Sequence, residues 1–355
     1  MPPRRLLLLY NEPVLPVGHP EAESELEIIE TIDIVQRILT GAGFSVGRLG
    51  VGNDLHTLID GLHDEQPDAV FNLFEGLADR PFTEDVVAGV LEWLGIQFTG
   101  CPAMALSMAR DKQRAKFLMA GAGLPTAPFF TVHRAPAPKC PLPWPVIVKP
   151  ACHDASVGID QASVVTNQRQ MEKRVAYVLD RWGPALVEQF VNGREFLVSM
   201  IEVGGAARGK DPLVALPLAE IGFTNPDVWP IYSYAAKWAP TSPEFKTSPL
   251  TVTVDISDDW RERIVDLSRR AYRLLGCRDY ARVDLRVTPD GQPFILEVNP
   301  NPYINSIMLI DGLAAVKCRH SQFVCEVARA ALSRGRQKPG RHTGRRTARP
   351  IQEAS

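Results

Sequence analysis

The sequence lacks the cysteine and histidine patterns that stabilise small domains. Its six cysteines are scattered without a Cys-x-x-Cys pair, and no histidines cluster at zinc-binding spacing. Neither a disulfide framework nor a structural zinc site is indicated, so the reducing cytoplasm is the expected compartment.

Long apolar runs are also absent. No stretch approaches the roughly 20 residues that a membrane helix needs. The leucines at 6–9 follow two arginines, as in a secretory leader, but Asn11 and Pro13 end the run. We therefore predict a soluble protein without a membrane partner, in which residues 6–10 form a buried strand.

Outside the C-terminal end, acidic residues outnumber basic ones. The net charge is −2, but residues 334–355 hold seven Lys/Arg against one Glu, which leaves −8 on residues 1–333. Such an acidic body argues against a nucleic-acid partner. The tail is rich in Arg, Gly and Pro, so we predict that it is disordered and solvated. Loose RNA or membrane-surface contact by the tail is the alternative.

The order of strand-like and helix-like patterns predicts three folded parts. Strands at 6–10 and 69–73 alternate with helices at 25–39 and 84–94, which is typical of a parallel sheet covered on both faces. After a helix predicted over 103–120, short strands surround single helices. We predict an α/β domain over 1–102, two α+β lobes over 103–190 and 191–333, and the tail at 334–355.

The C-terminal third contains a predicted β-hairpin. Residues 281–287 and 292–299 flank Thr288-Pro289-Asp290-Gly291, whose Pro and Gly suit a tight turn. Burying the apolar residues on one face predicts the register, which pairs Val283 with Leu296 and Leu285 with Phe294. The buried set is Val283, Leu285, Val287, Phe294, Leu296 and Val298.

The other hairpin face collects polar groups. In this register Arg282 lies opposite Glu297, Asp284 is diagonal to Glu297, and Asn299 lies one step beyond. Oxygen ligands without sulfur or imidazole suit a hard cation such as magnesium. We predict that Asp284, Glu297 and Asn299 bind two Mg²⁺ ions, with Mn²⁺ as an alternative. A solvent-facing hairpin with an ordinary Arg–Glu pair is the competing interpretation.

Two further segments suit a nucleotide. Lys149 ends a predicted strand, and small residues follow at Ala155, Ser156 and Gly158, where backbone N–H groups can approach phosphate. Lys112 and Lys116 share one helix face, for which surface solubility is the competing interpretation.

The segment 186–196 predicts a strand, a short hinge and a second strand. The hinge backbone is suited to reading adenine, and Glu195 to accepting ribose hydroxyls. For Glu188 and Glu195 the competing interpretation is that both are exposed strand residues.

Several stretches match a known family in order and spacing. They are 107–112 with 121–128, 145–150 with 156–158, 188–196, 236–237, and Arg282-Val283-Asp284 with Glu297-Val298-Asn299. Over about residues 23–331 the chain resembles the D-alanine:D-alanine ligase family of the ATP-grasp superfamily. The resemblance implies a preATP-grasp domain with a parallel sheet, followed by two ATP-grasp lobes.

The resemblance also implies residue roles. Phosphates of ATP would contact Lys112, Lys149 and Lys237, adenine would contact Glu188 and the backbone of Gln189, Phe190 and Val191, and ribose would contact Glu195. Asp284, Glu297 and Asn299 would ligate magnesium. Arg282 would stabilise the transferring phosphoryl group and a later oxyanion. Glu23 would face the first substrate, and Ser156 completes the implied catalytic set.

The implied reaction joins a small-molecule acid to an amine, both of them amino acids in the family. The substrate carboxylate attacks the γ-phosphate, and the amine then displaces phosphate from the acyl phosphate. A homodimer is a further expectation carried over from the family.

The chain departs from the family where substrates bind. The family's histidine-containing loop is replaced by Phe71-Asn72-Leu73-Phe74-Glu75-Gly76, which has no histidine. The family's serine pair is Ala155-Ser156 here, and the tyrosine after the phosphate lysine is Trp238. Bulky residues at 300–303 replace a small-residue loop, and the family's substrate-binding serine falls near Met308.

Four interpretations of the activity stay open. The substrates are two D-alanines, or another acid and amine. The protein is a catalytically silent ATP-binding protein, or it transfers a phosphoryl group and stops at a phosphorylated product.

Overall fold

The computed structural model describes residues 3–15, 22–77, 80–202, 211–252 and 255–335, without the side chains of 22–27. The predicted role of Glu23 and the tail from residue 336 onward lie outside the described residues. Arg334, the first residue of the predicted tail, lies within the described residues. This residue ends a helix, and its guanidinium donates to the Asp279 carboxylate at 2.7 and 3.0 Å.

The N-terminal part contains a parallel sheet in the order β2-β1-β3, which confirms the predicted α/β class. The leucines of the central strand β1 are buried, as expected for a strand covered on both faces. Strand β2 and helix α2 were not predicted, because two glycines weaken the strand pattern of this half-buried edge strand. The elements are β1 (Arg5–Asn11), α1 (Ala22–Gly41), β2 (Ser45–Val51), α2 (Leu55–Glu65), β3 (Ala69–Leu73) and α3 (Thr83–Trp93).

The helix predicted over residues 103–120 is two helices, α4 (Ala103–Arg110) and α5 (Lys112–Gly121). Asp111 separates them in an extended conformation, and its side chain accepts a hydrogen bond from the Arg114 N–H at 3.0 Å. An aspartate that caps a new helix stabilises such a break. The break places Lys112 in the first turn of α5, where its N–H donates to the Ala151 carbonyl at 3.0 Å.

The central lobe is an antiparallel sheet in the order β4-β7-β5-β6. Helix α6 packs its apolar face, including Met171 and Val175, against this sheet. The lobe's elements are β4 (Phe129–Val132), β5 (Val146–Pro150), β6 (Val164–Val165), α6 (Gln168–Trp182) and β7 (Ala185–Gln189).

The C-terminal lobe is a six-stranded antiparallel sheet in the order β11-β10-β8-β12-β13, with β9 also paired to β8. Helix α9 packs on this sheet, whereas α11 packs on α1 and β3 of the N-terminal part. The elements are β8 (Arg194–Glu202), β9 (Leu213–Ala215), β10 (Ala219–Ile221), α7 (Tyr234–Trp238), α8 (Pro243–Lys246), β11 (Leu250–Val252), α9 (Asp258–Leu274), β12 (Tyr280–Val287), β13 (Pro293–Pro300), α10 (Ile307–Ala315) and α11 (His320–Arg334). The boundaries proposed at residues 102, 190 and 333 stay predictions.

The predicted hairpin β12–β13 is present, but its predicted register is wrong. Val283 pairs with Val298, and Leu285 pairs with Ile295 rather than Phe294. Leu296 is the extra residue of a β-bulge between these pairs, so Ile295 is fully buried while Phe294 and Leu296 are half-buried. The Ile295 N–H donates to the Pro125 carbonyl at 2.9 Å, a contact from outside the hairpin that strand periodicity does not show.

None of the helices in the described ranges has both the length and the hydropathy required to cross a membrane.

Candidate active site

One cleft of about 790 Å³ lies between the two lobes and the N-terminal part. Every predicted site residue with a described side chain lines it. These are Lys112, Lys149, Ser156, Glu188, Gln189, Phe190, Val191, Glu195, Lys237, Arg282, Asp284, Glu297 and Asn299.

The polar face of the hairpin forms one wall of this cleft. Because of the bulge, Asp284 lies directly opposite Glu297, and Arg282 lies opposite Asn299. Arg282 donates to both oxygens of Asp284, at 2.7 and 2.8 Å. Asn299 Nδ2 donates to Asp284 at 3.0 Å and to Glu297 at 3.4 Å. The predicted convergence of these side chains is therefore present, although the predicted register was not.

The donor set of this face fits a hard cation. Two carboxylates and one amide lie within hydrogen-bonding distance of one another, without sulfur or imidazole. Among the described residues no group of three His, Cys, Asp or Glu side chains has metal-binding geometry, and here the third donor is an amide. Burial raises the pKa of Asp284 although Arg282 opposes the shift. A bound cation would favour the ionised form of this carboxylate.

Three neighbouring cations favour the ionised form of Glu297. Burial opposes its charge, but Lys112, Lys149 and Arg282 together lower the pKa of Glu297 to about 2. The Lys112 ammonium lies 3.1 Å from Glu297 Oε2 and donates to Asp154 at 2.7 Å and to the His153 carbonyl at 2.8 Å. Burial opposes the charge of Lys112, yet Asp154 and Glu297 raise its pKa above the ordinary value. Lys112 thus joins the loop after β5 to the polar face of the hairpin.

Glu188 lies between two lysines. The Nζ atoms of Lys116 and Lys149 are each 3.3 Å from Glu188 Oε2. These contacts are ion pairs whose geometry does not qualify as hydrogen bonds. Glu188 is 1% exposed and Glu195 is 7% exposed, so the interpretation of both as surface residues is wrong. Burial opposes the charge of Glu188, but the two lysines lower its pKa. The surface interpretation of Lys112 and Lys116 is also wrong, since both are buried.

The loop after β5 has backbone conformations that residue types do not reveal. Ala155, Ser156 and Gly158 have φ angles of 55°, 61° and 69°. Ser156 Oγ donates to the Tyr232 carbonyl at 2.9 Å, and Trp238 Nε1 donates to the Ala155 carbonyl at 3.0 Å. Two positions that depart from the family, Ala155 and Trp238, therefore contact each other.

Lys237 lies beside this loop, with its Nζ 4.8 Å from the centre of the Trp238 ring. It makes no ion pair with any described residue. Burial and the neighbouring Arg282 lower the pKa of Lys237. This ammonium is thus available to an anion in the cleft.

Sequence analysis did not predict three cleft residues, Glu84, Arg110 and Asp154, which form what we call the N-terminal wall. Arg110 forms an ion pair with the buried Glu84 and another with Asp154 at 3.1 Å. Burial raises the pKa of Glu84 to about 8 although Arg110 opposes the shift. These residues come from α3, α4 and the loop after β5, so no local pattern relates them.

The hinge between β7 and β8 has a further partner that was not predicted. Arg286 donates to the Val191 carbonyl at 2.9 Å and to Glu195 at 2.7 and 2.9 Å. A signal was available, because Arg282, Asp284 and Arg286 recur with the strand period of two.

Comparisons with known proteins agree with this architecture. Residues 118–320 match the family model described as D-ala D-ala ligase C-terminus. The chain is 30% identical over 301 residues to the D-alanine–D-alanine ligase of Cupriavidus necator, covering 83% of this chain and 86% of that protein. It is 33% identical over 287 residues to the D-alanine–D-alanine ligase of Acidiphilium cryptum, covering 79% and 85%.

Solved structures share the fold. The D-alanine–D-alanine ligase of Bacillus anthracis complexed with ATP has a TM-score of 0.72 at 19% identity, covering 94% of this chain and 98% of that one. The VanG D-Ala:D-Ser ligase of Enterococcus faecalis has a TM-score of 0.69 at 18% identity, covering 93% and 99%. From the family model and the two sequence relatives, the chain belongs to the D-alanine:D-alanine ligase family of ATP-dependent, amide-forming ligases.

Proposed function

We propose that this protein uses ATP to join a small carboxylic acid to a small amine, forming ADP and phosphate. The observation that carries the proposal is the shared cleft. Asp284, Glu297 and Asn299 meet on one hairpin face, and the lysines 149 and 237 line the same cleft.

ATP would lie between the hinge and the hairpin. Its adenine would contact the backbone of Gln189, Phe190 and Val191 above Glu188, and its ribose would contact Glu195. Lys112, Lys149 and Lys237 would contact the phosphates. The ammonium of Lys237, which makes no ion pair with a described residue, and the positive-φ loop at Ser156 support this arrangement.

Asp284, Glu297 and Asn299 would hold two Mg²⁺ ions, with Mn²⁺ as an alternative. Such ions neutralise phosphate oxygens when bound. The low pKa of Glu297, about 2, supports this role because a ligand carboxylate must be ionised.

The chain's own cations bring two anions together. The substrate carboxylate must approach the γ-phosphate, and Lys149, Lys237 and Arg282 lower the repulsion between them. Arg282 would turn part of its guanidinium from Asp284 toward the transferring phosphoryl group, and then toward the oxyanion formed when the amine attacks the acyl phosphate. Losing one such donor typically costs about 10²-fold to 10³-fold in rate.

The substrate pair is proposed to differ from two D-alanines, although amino acids remain the substrate class. Tyr303 and Met308 line the cleft where the family has small residues and a serine. The relatives from Cupriavidus necator and Acidiphilium cryptum are D-alanine–D-alanine ligases. A catalytically silent ATP-binding protein is the second candidate. The presence of Asp284, Glu297 and Asn299 together on the hairpin face counts against it.

A screen of amino acids by phosphate release, with mass spectrometry of the products, tests the proposal. We expect Mg²⁺-dependent ADP and phosphate only when acid and amine are both present. AMP and pyrophosphate as products would contradict the acyl-phosphate route, and no turnover with any pair would favour the silent protein. Homodimer formation and a cytoplasmic location stay predictions, which light scattering and cell fractionation would test.

A further inference from the structure

Arg286 is a buried guanidinium in the wall of the cleft to which the proposed function gives no role. It lies on β12 as the pairing partner of Glu195 on β8, and it is 4% exposed. A charge is stable at such a position only when its hydrogen bonds are satisfied.

The contacts of Arg286 join three segments. Its Nη1 donates to the Val191 carbonyl at 2.9 Å, and its Nη2 also donates to the Pro230 carbonyl. Its Nε and Nη2 donate to Glu195 Oε2 at 2.9 and 2.7 Å. The guanidinium carbon lies 5.0 Å from the ring centre of Phe190 and 5.6 Å from that of Phe223. The guanidinium is therefore fixed by hydrogen bonds in its plane and by two aromatic rings.

These contacts determine which polar groups stay available. Both bonds to Glu195 end on Oε2, so Oε1 has no hydrogen-bond partner among the described residues. The Val191 carbonyl is occupied, whereas no described group accepts from the Val191 N–H. The hinge thus offers one backbone donor and one carboxylate oxygen to a ligand in the cleft.

We propose that Arg286 is a positioning residue for the nucleotide, which holds Glu195 so that Oε1 accepts from the ribose hydroxyls. The inference rests on the proposed binding of ATP at the hinge. A planar guanidinium held by four hydrogen bonds beside two aromatic rings fixes a carboxylate in one orientation, whereas a lysine ammonium is a flexible point charge. The Arg286→Lys variant therefore keeps the charge and loses the orientation.

The test compares the affinities of Mg·ATP, Mg·2′-deoxyATP and Mg·3′-deoxyATP by calorimetry. We expect the unmodified protein to bind ATP about tenfold or more tightly than at least one deoxynucleotide, as a hydrogen bond to a charged group provides. In Arg286→Lys this ratio falls toward one. A general loss of structure would weaken all three nucleotides alike and keep the ratio.

Arg194→Lys is the matched control. Arg194 also pairs with a glutamate, donating to both oxygens of Glu220 at 2.7 Å, and also lies over a ring, 5.0 Å from the centre of Phe196. Neither Arg194 nor Glu220 lines the cleft, so this variant should keep the preference for ATP.

Thermal melting shows which variants fold. If Arg286→Lys does not fold, Glu195→Gln is the second variant and should lose the same preference. An unchanged ratio in the variants, an equal loss in Arg194→Lys, or no preference in the unmodified protein would each overturn the inference while ATP binding stands. If the unmodified protein binds no Mg·ATP, the proposed function falls and the inference with it.

Discussion

Two glutamates that line the cleft have pKa values shifted in opposite directions. Lys112, Lys149 and Arg282 surround Glu297 and hold its pKa at about 2, whereas burial raises the pKa of Glu84 to about 8. Arg110 attracts the charge of Glu84, whereas Asp154 and Glu75 add negative potential. The hairpin wall is thus built to keep an anion charged, and the N-terminal wall is not.

This difference in pKa matches the role proposed for the hairpin wall. The hairpin wall would hold cations and phosphates, which requires fixed charge. The N-terminal wall lacks the family's histidine loop, and the acidic residues Glu75 and Glu84 line the same cleft. We therefore expect charge to be essential for turnover on the hairpin wall and dispensable on the N-terminal wall.

The largest effect is expected for Glu297→Gln. Removing the carboxylate weakens the proposed metal site and should lower turnover by about 10³-fold or more, measured as phosphate release with the acid and amine found in the screen. Glu220→Gln is the control, because this glutamate pairs with Arg194 outside the cleft. Turnover within tenfold of the unmodified enzyme in Glu297→Gln would show that Glu297 does not hold the metal.

Lys149 and Lys116 allow a sharper comparison, since both lie 3.3 Å from the same oxygen of Glu188. Only Lys149 lines the cleft. Lys149→Met should lower turnover by about 10²-fold to 10³-fold through lost phosphate contact. Lys116→Met should instead lower the free energy of unfolding by about 3 kcal/mol, because a buried ion pair is broken.

Urea unfolding and phosphate release on both variants separate these effects. Equal losses of turnover in the two variants would mean that Lys149 acts through Glu188 alone, without contacting phosphate.

The hairpin wall could be predicted because it depends on strand periodicity. Residues 282 and 284 share a face, as do 297 and 299, in any register shifted by two, so the wrong register still put these side chains together. The bulge at Leu296 depends on the contact of Ile295 with Pro125, which local sequence does not contain.

The N-terminal wall could not be predicted in this way. Arg110 and Glu84 are 26 residues apart, and Asp154 comes from another lobe. The helix break at Asp111, which sets where Lys112 points, competes with good helix formers on both sides. These features depend on tertiary contacts rather than on residue spacing.

Glu84 should make stability depend on pH. Its pKa is higher in the folded protein, about 8, than the ordinary value of 4.5, so the folded state binds the proton more tightly. Stability is therefore fully present below about pH 4.5 and is lost as pH rises through about 8. We expect the free energy of unfolding to fall by about 1 kcal/mol or more between pH 6 and pH 9.

Glu84→Gln should remove most of this slope, and urea titrations at several pH values measure it. The same slope in the variant would assign the titration to another group. Turnover in this variant should stay within tenfold, in contrast to Glu297→Gln.

The smallest effect is expected at the contact between Ala155 and Trp238, two of the positions that depart from the family. Trp238→Phe removes the indole N–H that donates to the Ala155 carbonyl at 3.0 Å, while a ring stays near Lys237. One neutral hydrogen bond is worth about 1 kcal/mol, so turnover should fall about fivefold through a less ordered phosphate loop. Trp93→Phe, at a surface tryptophan that is 90% exposed, controls for the substitution itself. Ala155 accepts this hydrogen bond through its backbone carbonyl, so Ala155→Ser should leave turnover unchanged. A loss of turnover in Ala155→Ser as large as in Trp238→Phe would mean that the side chain at position 155, and not the indole hydrogen bond, holds the loop.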